Sequence, residues 1–278
     1  MKKIKKFLLF ILLLFLISCS NKNTKDSFNL FFFDVNQGDS SLINYKNVSI
    51  LIDTGEKEFI DNIIDIIKSK NIKTLDYVIL THDHSDHSSG FPKIYKNFKI
   101  NNIILPEILK DETFNEVKSL IKGSETKLLY INKPTTLTIK DDFTIKFLRD
   151  FSKPIEEFND SSLVFQASVK NFDVLYTGDI EENGQLDILN MNIESEILKV
   201  PHHGAYNNDK NNVKKFIEKV NPYISIISVG NNSYGHPNKN TLNILNDINS
   251  KILRTDELGT IIINCDLKNN TLSINTII

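Results

Sequence analysis

Ile60, Ile63, Ile64 and Ile67 recur at the spacing of one helical face, so residues 57–70 read as an amphipathic helix. The run that follows, residues 76–81, carries Tyr77-Val78-Ile79-Leu80 without a polar break, as a parallel strand covered on both faces does. Helix 89–97, strand 101–105 and helix 111–122 continue that alternation. Upstream, residues 28–35, 40–44 and 48–52 read as strands, with Gln37-Gly38-Asp39 as the first turn. Between 126 and 148 the pattern changes to short strands, 127–131, 135–139 and 143–148, and residues 161–177 read as a hairpin around Lys170-Asn171. Helix 181–190, strand 196–200, helix 209–219, strand 222–228, helix 239–249 and strands near 252, 260 and 272 follow. Strands and helices thus alternate twice around a β-rich middle, which defines a mixed α/β class. No fixed short repeat and no low-complexity tract interrupts the pattern.

The first 18 residues obey a different rule. Lys2, Lys3, Lys5 and Lys6 precede an apolar stretch from Phe7 to Ile17, too short for the roughly 20 residues of a membrane-spanning helix. Residues 1–18 read as an export signal, and Leu16-Ile17-Ser18-Cys19 resembles the bacterial lipobox, in which Cys19 becomes the lipid-modified N-terminus. Residues 19–27 are polar and aperiodic, a short tether. With Cys19 acylated only Cys265 remains of two cysteines, so an exported chain holds together by burial rather than disulfides. Acyl chains would anchor the protein outside the cytoplasm on a membrane. Removing the four signal lysines takes the formal net charge from −2 to −6, which weighs against a broadly basic nucleic-acid surface. Lys93, Lys96 and Lys99, and Lys210, Lys214 and Lys215, read as solvated helix faces or as a local groove.

All six histidines fall in three short motifs. Thr81-His82-Asp83-His84-Ser85-Asp86-His87 holds three of them behind the apolar strand, and Pro201-His202-His203-Gly204 and Gly235-His236-Pro237 hold the rest. Neutral imidazole and ionised carboxylate ligate zinc, manganese and iron, and a catalytic site leaves part of the metal shell open. His82, His84, Asp86 and His87 offer donors for two ions. A merely solvated loop needs only Ser, Asn, Asp and Gly.

Further motifs accompany these: Phe33-Asp34-Val35-Asn36-Gln37-Gly38-Asp39-Ser40, Leu51-Ile52-Asp53-Thr54-Gly55, Asn159-Asp160-Ser161-Ser162-Leu163, Tyr176-Thr177-Gly178-Asp179, Leu198-Lys199-Val200 before the second histidine motif, Tyr234 before the third, and Arg254-Thr255-Asp256. Together, over roughly residues 28–265, they resemble the metallo-β-lactamase superfamily, and within it the hydrolase domain of ComEC-like competence proteins. The resemblance implies an αββα sandwich over a single domain, residues 28–278. It implies two divalent cations, zinc or manganese, the first on His82 and His84, the second on Asp86 and His87, with Asp179 bridging them. Asp179 also precedes Glu181 and Glu182, where an aspartate caps a helix well. Asp160 stands where many relatives place a further histidine, and reads either as a ligand of the first metal or as a turn residue. As a ligand it moves preference from zinc toward manganese.

His203 or the adjacent His202 completes the second metal. Adjacent side chains diverge, so the other faces the substrate with His236, as a hydrogen-bond donor or general acid. His236, in a tight turn, also reads as a surface residue. Asp86, His202 and His236 form the expected catalytic set, and Asp34, Asp39 and Asp53 are expected to orient the ligand histidines from behind. Two cations lower the pKa of a bound water from about 15.7 toward about 7, which supplies hydroxide at neutral pH.

The expected reaction is hydrolysis of a phosphodiester, with DNA as the first substrate. Full competence proteins add a multi-span channel that this sequence does not contain, so the expectation is a nuclease rather than a transporter. A second expectation is an envelope phosphodiesterase acting on choline- or glycerol-phosphate polymers, and a third is a lipid-anchored binding protein without turnover. An amide or lactone hydrolase fits Asp160 and the His-His-Gly motif less well. No obligate protein partner is expected.

Overall fold

The computed structural model describes residues 27–109, 114–152, 155, 157–206 and 210–278, so the export signal, Cys19 and the tether before Ser27 lie outside the described residues. The first half runs β1 (Ser27–Phe32), β2 (Ser41–Tyr45), β3 (Val48–Ile52), α1 (Ile60–Ser69), β4 (Thr74–Ile79), α2 (Ser85–Ser88), α3 (Phe91–Asn97), β5 (Lys99–Pro106), α4 (Asn115–Ile121) and β6 (Lys127–Ile131). The second runs β7 (Thr135–Lys140), β8 (Phe143–Phe147), β9 (Phe165–Val169), β10 (Phe172–Tyr176), α5 (Glu182–Ile188), β11 (Ile197–Lys199), α6 (Lys210–Val220), β12 (Ile224–Ile227), α7 (Lys239–Asp247), β13 (Lys251–Arg254) and α8 (Thr255–Leu258). β14 (Thr260–Asp266) and β15 (Thr271–Ile277) then return to the first sheet.

Two sheets result, one ordered β15-β14-β1-β2-β3-β4-β5-β6 and the other β13-β12-β11-β10-β9-β8-β7. Strand alternation sorts the apolar side chains into three layers. Phe28, Leu30 and Phe32 of β1 face inward and meet Phe143, Phe147 and Phe165 of the opposing sheet. Phe31 faces outward, into a layer with Leu51, Val78 and the apolar stripes of α1, α3 and α4. On the other outer face Leu175, Leu198 and Ile227 meet Ile188, Phe216 and Leu245 of α5, α6 and α7. This is the αββα sandwich the motifs implied. α1 has ten residues and no side-chain cap, too short to persist alone. The four isoleucines it buries, at about 1.5–3 kcal/mol each, hold it on the sheet.

β3, β4, β5 and β6 pair in parallel, as do β10, β11, β12 and β13. Each parallel step needs a crossover, so the loops after the carboxyl ends of both sets gather at one edge. Those loops carry Asp53, the first histidine motif, Asp179, His202, His203 and His236.

β1 stops at Phe32 rather than residue 35, because Asp34 leaves the ladder. Its N–H donates to Thr260 Oγ1 at 3.1 Å, and its Oδ1 accepts the Asn36 N–H at 3.0 Å. Asp34 is exposed and shapes this turn, which corrects the expectation that it orients a histidine. Among the described residues no helix is long and apolar enough to cross a membrane.

Candidate metal centre

Beyond β4 the chain changes geometry within a few residues. His82 and His84, two apart, come together with His82 Nε2 3.0 Å from His84 Nδ1. The single turn of α2 then brings Asp86 and His87 round, as the His84 carbonyl accepts the His87 and Ser88 N–H groups at 3.0 and 2.9 Å. Asp83 braces the loop instead: its carboxylate accepts Ser88 Oγ–H at 3.0 Å and the Phe114 N–H at 2.6 Å. The first turn of the fold closes onto this loop at Gly38, where a Cβ would lie 2.6 Å from the Asp86 carbonyl oxygen. Glycine alone lets the neighbouring Asp39 N–H donate to that oxygen, at 3.0 Å.

Asp86, His87, Asp179 and His203 each present one donor atom, all within 4.8 Å of one another. His87 Nε2 and His203 Nε2 lie 3.2 and 3.4 Å from Asp179 Oδ2, and His203 Nε2 lies 3.2 Å from Asp86 Oδ2. Both imidazoles are fixed through their other nitrogen. His203 Nδ1 donates to the Ser228 carbonyl at 2.9 Å, and His87 Nδ1 pairs with Asp53 Oδ2 at 2.8 Å. Asp53 is held in turn by the Thr81 N–H and hydroxyl, each at 2.7 Å. That arrangement aims both Nε2 atoms at the same carboxylate, the usual outer support of a metal-ligating histidine.

Electrostatics point the same way. Burial alone pushes the His203 pKa down, but Asp179 and Asp86 outweigh it and lift it to about 10. Burial likewise pushes His87 down, but Asp179 and Asp53 outweigh it and hold its pKa well above the ordinary value. Asp179 is buried, yet His87 and His203 hold it well below the usual carboxylate range. These directions favour the charged form of both imidazoles in the metal-free protein, and a divalent cation satisfies the same donors. His87 Nε2 and Asp179 Oδ1 are buried without a hydrogen-bond partner among the described residues, which such an ion would remedy. The donor set fits a metal ion.

Metal binding must then expel the protons that charge His87 and His203. At pH 7 the metal-free protein should release about two protons per ion bound at this cluster, and affinity should climb with pH until His203, at about 10, has titrated. Calorimetry in buffers of different ionisation enthalpy measures the release. A value near zero would place the ion away from His87 and His203.

The two adjacent histidines diverge, as their left-handed backbone (φ 46° and 53°) requires. His202 Nδ1 stands 3.3 Å from Glu181 Oε1, a polar contact rather than an aligned hydrogen bond. His236 is half-buried, its ring centroid 5.2 Å from that of His202 and 6.5 Å from that of His203. Burial, then the two neighbouring imidazoles, pushes its pKa down to about 4. That direction favours a neutral His236 imidazole, and with it hydrogen bonding rather than proton donation.

Asp179 joins the donor cluster, as the resemblance implied, whereas Asp160 departs from both of its expected roles. Asp160 Oδ1 accepts the Glu181 and Gly184 N–H groups at 2.7 and 3.0 Å, so it caps α5 from a distant part of the chain. Its carbonyl accepts from Arg149 Nη1. Asp160, like His82 and His84, belongs to neither group of converging donors, and its Oδ2 is buried and unpartnered among the described residues. Asp179, relieved of capping, accepts no helix N–H; its own N–H donates to Ser162 Oγ at 3.0 Å. Asp39 also differs. It lies near Asp53 and His87, but its Oδ2 is 2.6 Å from Lys199 Nζ, so it pairs with a buried lysine rather than orienting a histidine. Lys199, Ser162 and Glu181 lie in or beside the quoted motifs but had no role assigned from sequence. A lysine directly before an apolar-histidine motif was the available signal for the first.

A sandwich whose two sheets deliver an imidazole and carboxylate cluster at their carboxyl edge is a metalloprotein of the αββα class. The family model of the metallo-beta-lactamase superfamily matches residues 33–226, and the chain belongs to that superfamily. The chain is 30% identical over 250 residues to ComE operon protein 3 of Bacillus subtilis, covering 82% of this chain and 32% of that one. To competence protein ComA of Neisseria gonorrhoeae it is 25% identical over 236 residues, covering 82% of this chain and 31% of that one. It thus spans about a third of the length of these curated relatives. The crystal structure of the metallo-beta-lactamase fold protein YhfI from Bacillus subtilis shares the fold, with a TM-score of 0.57, 12% identity, and coverage of 85% of this chain and 99% of that one. At the level of class the protein is a metal-dependent hydrolase related to competence proteins.

Proposed function

We propose that the protein is a phosphodiesterase acting on nucleic acid, tethered through Cys19 to a membrane surface outside the cytoplasm. The observation that carries the reading is the convergence of His87 Nε2, His203 Nε2, Asp86 and Asp179 within 4.8 Å, beside the unligated pair His202 and His236. In this reading those four residues hold one ion. His82 and His84, with the unpartnered Asp179 Oδ1, hold the other. Bound zinc or manganese supplies Lewis acidity toward a phosphoryl oxygen and a nucleophile at neutral pH.

The chain's own residues do the rest. Asp53 and the Ser228 carbonyl keep both ligand imidazoles oriented. Asp86 both ligates and, through His203, fixes the second histidine motif against the first. His202, backed by Glu181, and neutral His236 line the open side and hydrogen-bond the substrate's phosphoryl and leaving oxygens. Relatedness to competence proteins supports nucleic acid as the substrate. A second reading, diesters of choline- or glycerol-phosphate polymers, draws on the His202-His203-Gly204 motif and on a lipid tether that would place the site beside envelope polymers. The retained donor set counts against a binding protein without turnover.

The test uses the full chain reloaded with manganese or zinc, end-labelled single-stranded DNA, and His84→Ala as the blank. Cleavage that a chelator and the blank both abolish is the expected result. Hydrolysis of a thioester or β-lactam with no diester cleaved would overturn the reading, and release of choline or glycerol phosphate alone would transfer it to envelope polymers.

A further inference from the structure

Seven large apolar side chains are exposed among the described residues, three of them aromatic: Phe158, Tyr223 and Tyr234. Tyr223 lies just before the amino end of β12, at the opposite end of the sheet from the metal-binding loops. The other two stand against the site. Phe158, 38% exposed, stacks on His84 with centroids 4.7 Å and planes 27° apart. Tyr234, 75% exposed, lies 5.9 Å from His236 at 32°. Between them the contacts His84–His82, His82–His87, His87–His203 and His203–His236 run at 4.7, 4.2, 5.7 and 6.5 Å. The two exposed aromatics are thus the ends of one unbroken row of rings that contains the donor cluster.

Single exposed apolar residues are ordinary on a surface. Two aromatics terminating the row of site histidines are a different matter, because each offers a flat face next to where a diester would be held. Among the described residues, the two buried cationic side chains beside the site are engaged. Lys199 is buried on Asp39, and Arg149 on the Asp160 carbonyl and Asp187. Neither offers a free charge to a substrate strand, whereas base stacking on an aromatic ring needs no charge and tolerates any base.

We propose that Phe158 and Tyr234 are stacking platforms for planar nucleobases flanking the scissile phosphodiester, and that the substrate is a short single-stranded oligonucleotide held through its bases. This rests on the phosphodiesterase reading above. A quaternary ammonium such as choline needs several aromatic faces around one cation. Phe158 and Tyr234 sit at opposite ends of the row and do not form such a cage.

The experiment compares a thymidine dinucleotide with the same diester lacking both bases, on the manganese-loaded full chain, with glycerophosphocholine as a third substrate. The dinucleotide should show a KM about ten-fold lower than the base-free diester, the size of one stacked base. Phe158→Leu and Tyr234→Leu should each narrow that ratio, and Phe158→Trp should preserve or widen it. If Phe158→Leu and Tyr234→Leu slow both diesters alike and leave the ratio intact, the rings merely brace His84 and His236, and the proposal falls. Equal KM values in the unaltered protein would remove the stacking and leave the phosphodiesterase. Cleavage of neither the dinucleotide nor its base-free counterpart, or preference for glycerophosphocholine, would end the nucleic-acid reading and the stacking with it.

Discussion

Asp179→Asn should strip the protein of bound metal and lower kcat/KM for a diester by on the order of a thousand-fold, more than the roughly 10- to 100-fold typical of losing an outer partner of a ligand. Asparagine keeps the shape, and the Asp179 N–H can still donate to Ser162 Oγ, so the fold should survive. What goes is the charge that both His87 and His203 face at 3.2 and 3.4 Å. It is the main influence raising both imidazoles, so their pKa values should fall even as metal is lost. The paired control is Asp160→Ala. Its cost should be mainly stability, about 1 kcal/mol for a lost helix cap, with metal still bound. Elemental analysis of both variants, with unfolding curves, separates the two aspartates. Metal retained in Asp179→Asn and lost in Asp160→Ala would reverse the assignment.

The capping role of Asp160 shows where sequence reading stops. Both aspartates precede α5 in the chain, and by local rules the nearer one, Asp179, is the natural cap. The cap comes instead from Asp160, some twenty residues upstream of the N–H groups it accepts. Nothing in a window of helical length reports that. The elements themselves were legible, because burial on one or two faces writes a period into the chain. β3 and β6 span Val48–Ile52 and Lys127–Ile131, the bounds expected from the sequence, and the four buried isoleucines of α1 fall at helical spacing. α2 was not legible, since four residues cannot show a period.

The metal-binding loop was legible for a different reason: histidines are few and carboxylates beside them have few structural uses. Aspartates alone are less informative. Asp34, Asp39 and Asp53 all follow or precede strands, yet one shapes a turn, one pairs with a lysine and one holds His87. Composition around them is similar, and the difference lies in what the other sheet brings near.

Lys199→Met should destabilise the protein by about 3–5 kcal/mol, the usual result of leaving one partner of a buried ion pair alone. Lys199 and Asp39 side chains are 5% and 7% exposed, and their charged atoms are 2.6 Å apart. Lys199 ends β11 in one sheet, while Asp39 lies on the first turn of the other, so the pair joins the two halves directly behind the site. Without the lysine, Asp39 must bury a charge, admit water or take up a proton. Its backbone N–H holds the Asp86 carbonyl at 3.0 Å, so any shift that hydrates the carboxylate also moves Asp86, and metal should be lost with stability. Adding Asp39→Asn to Lys199→Met removes the stranded charge but keeps both Asp39 backbone hydrogen bonds. The double variant should regain much of the stability and the metal, because a buried pair removed together costs far less than one removed singly. Denaturant unfolding of the single and double variants gives the coupling. A double variant no more stable than Lys199→Met would mean that Lys199 acts through its 3.1 Å bond to the Val200 carbonyl and the packing of its stem, and that the charge on Asp39 is tolerated alone.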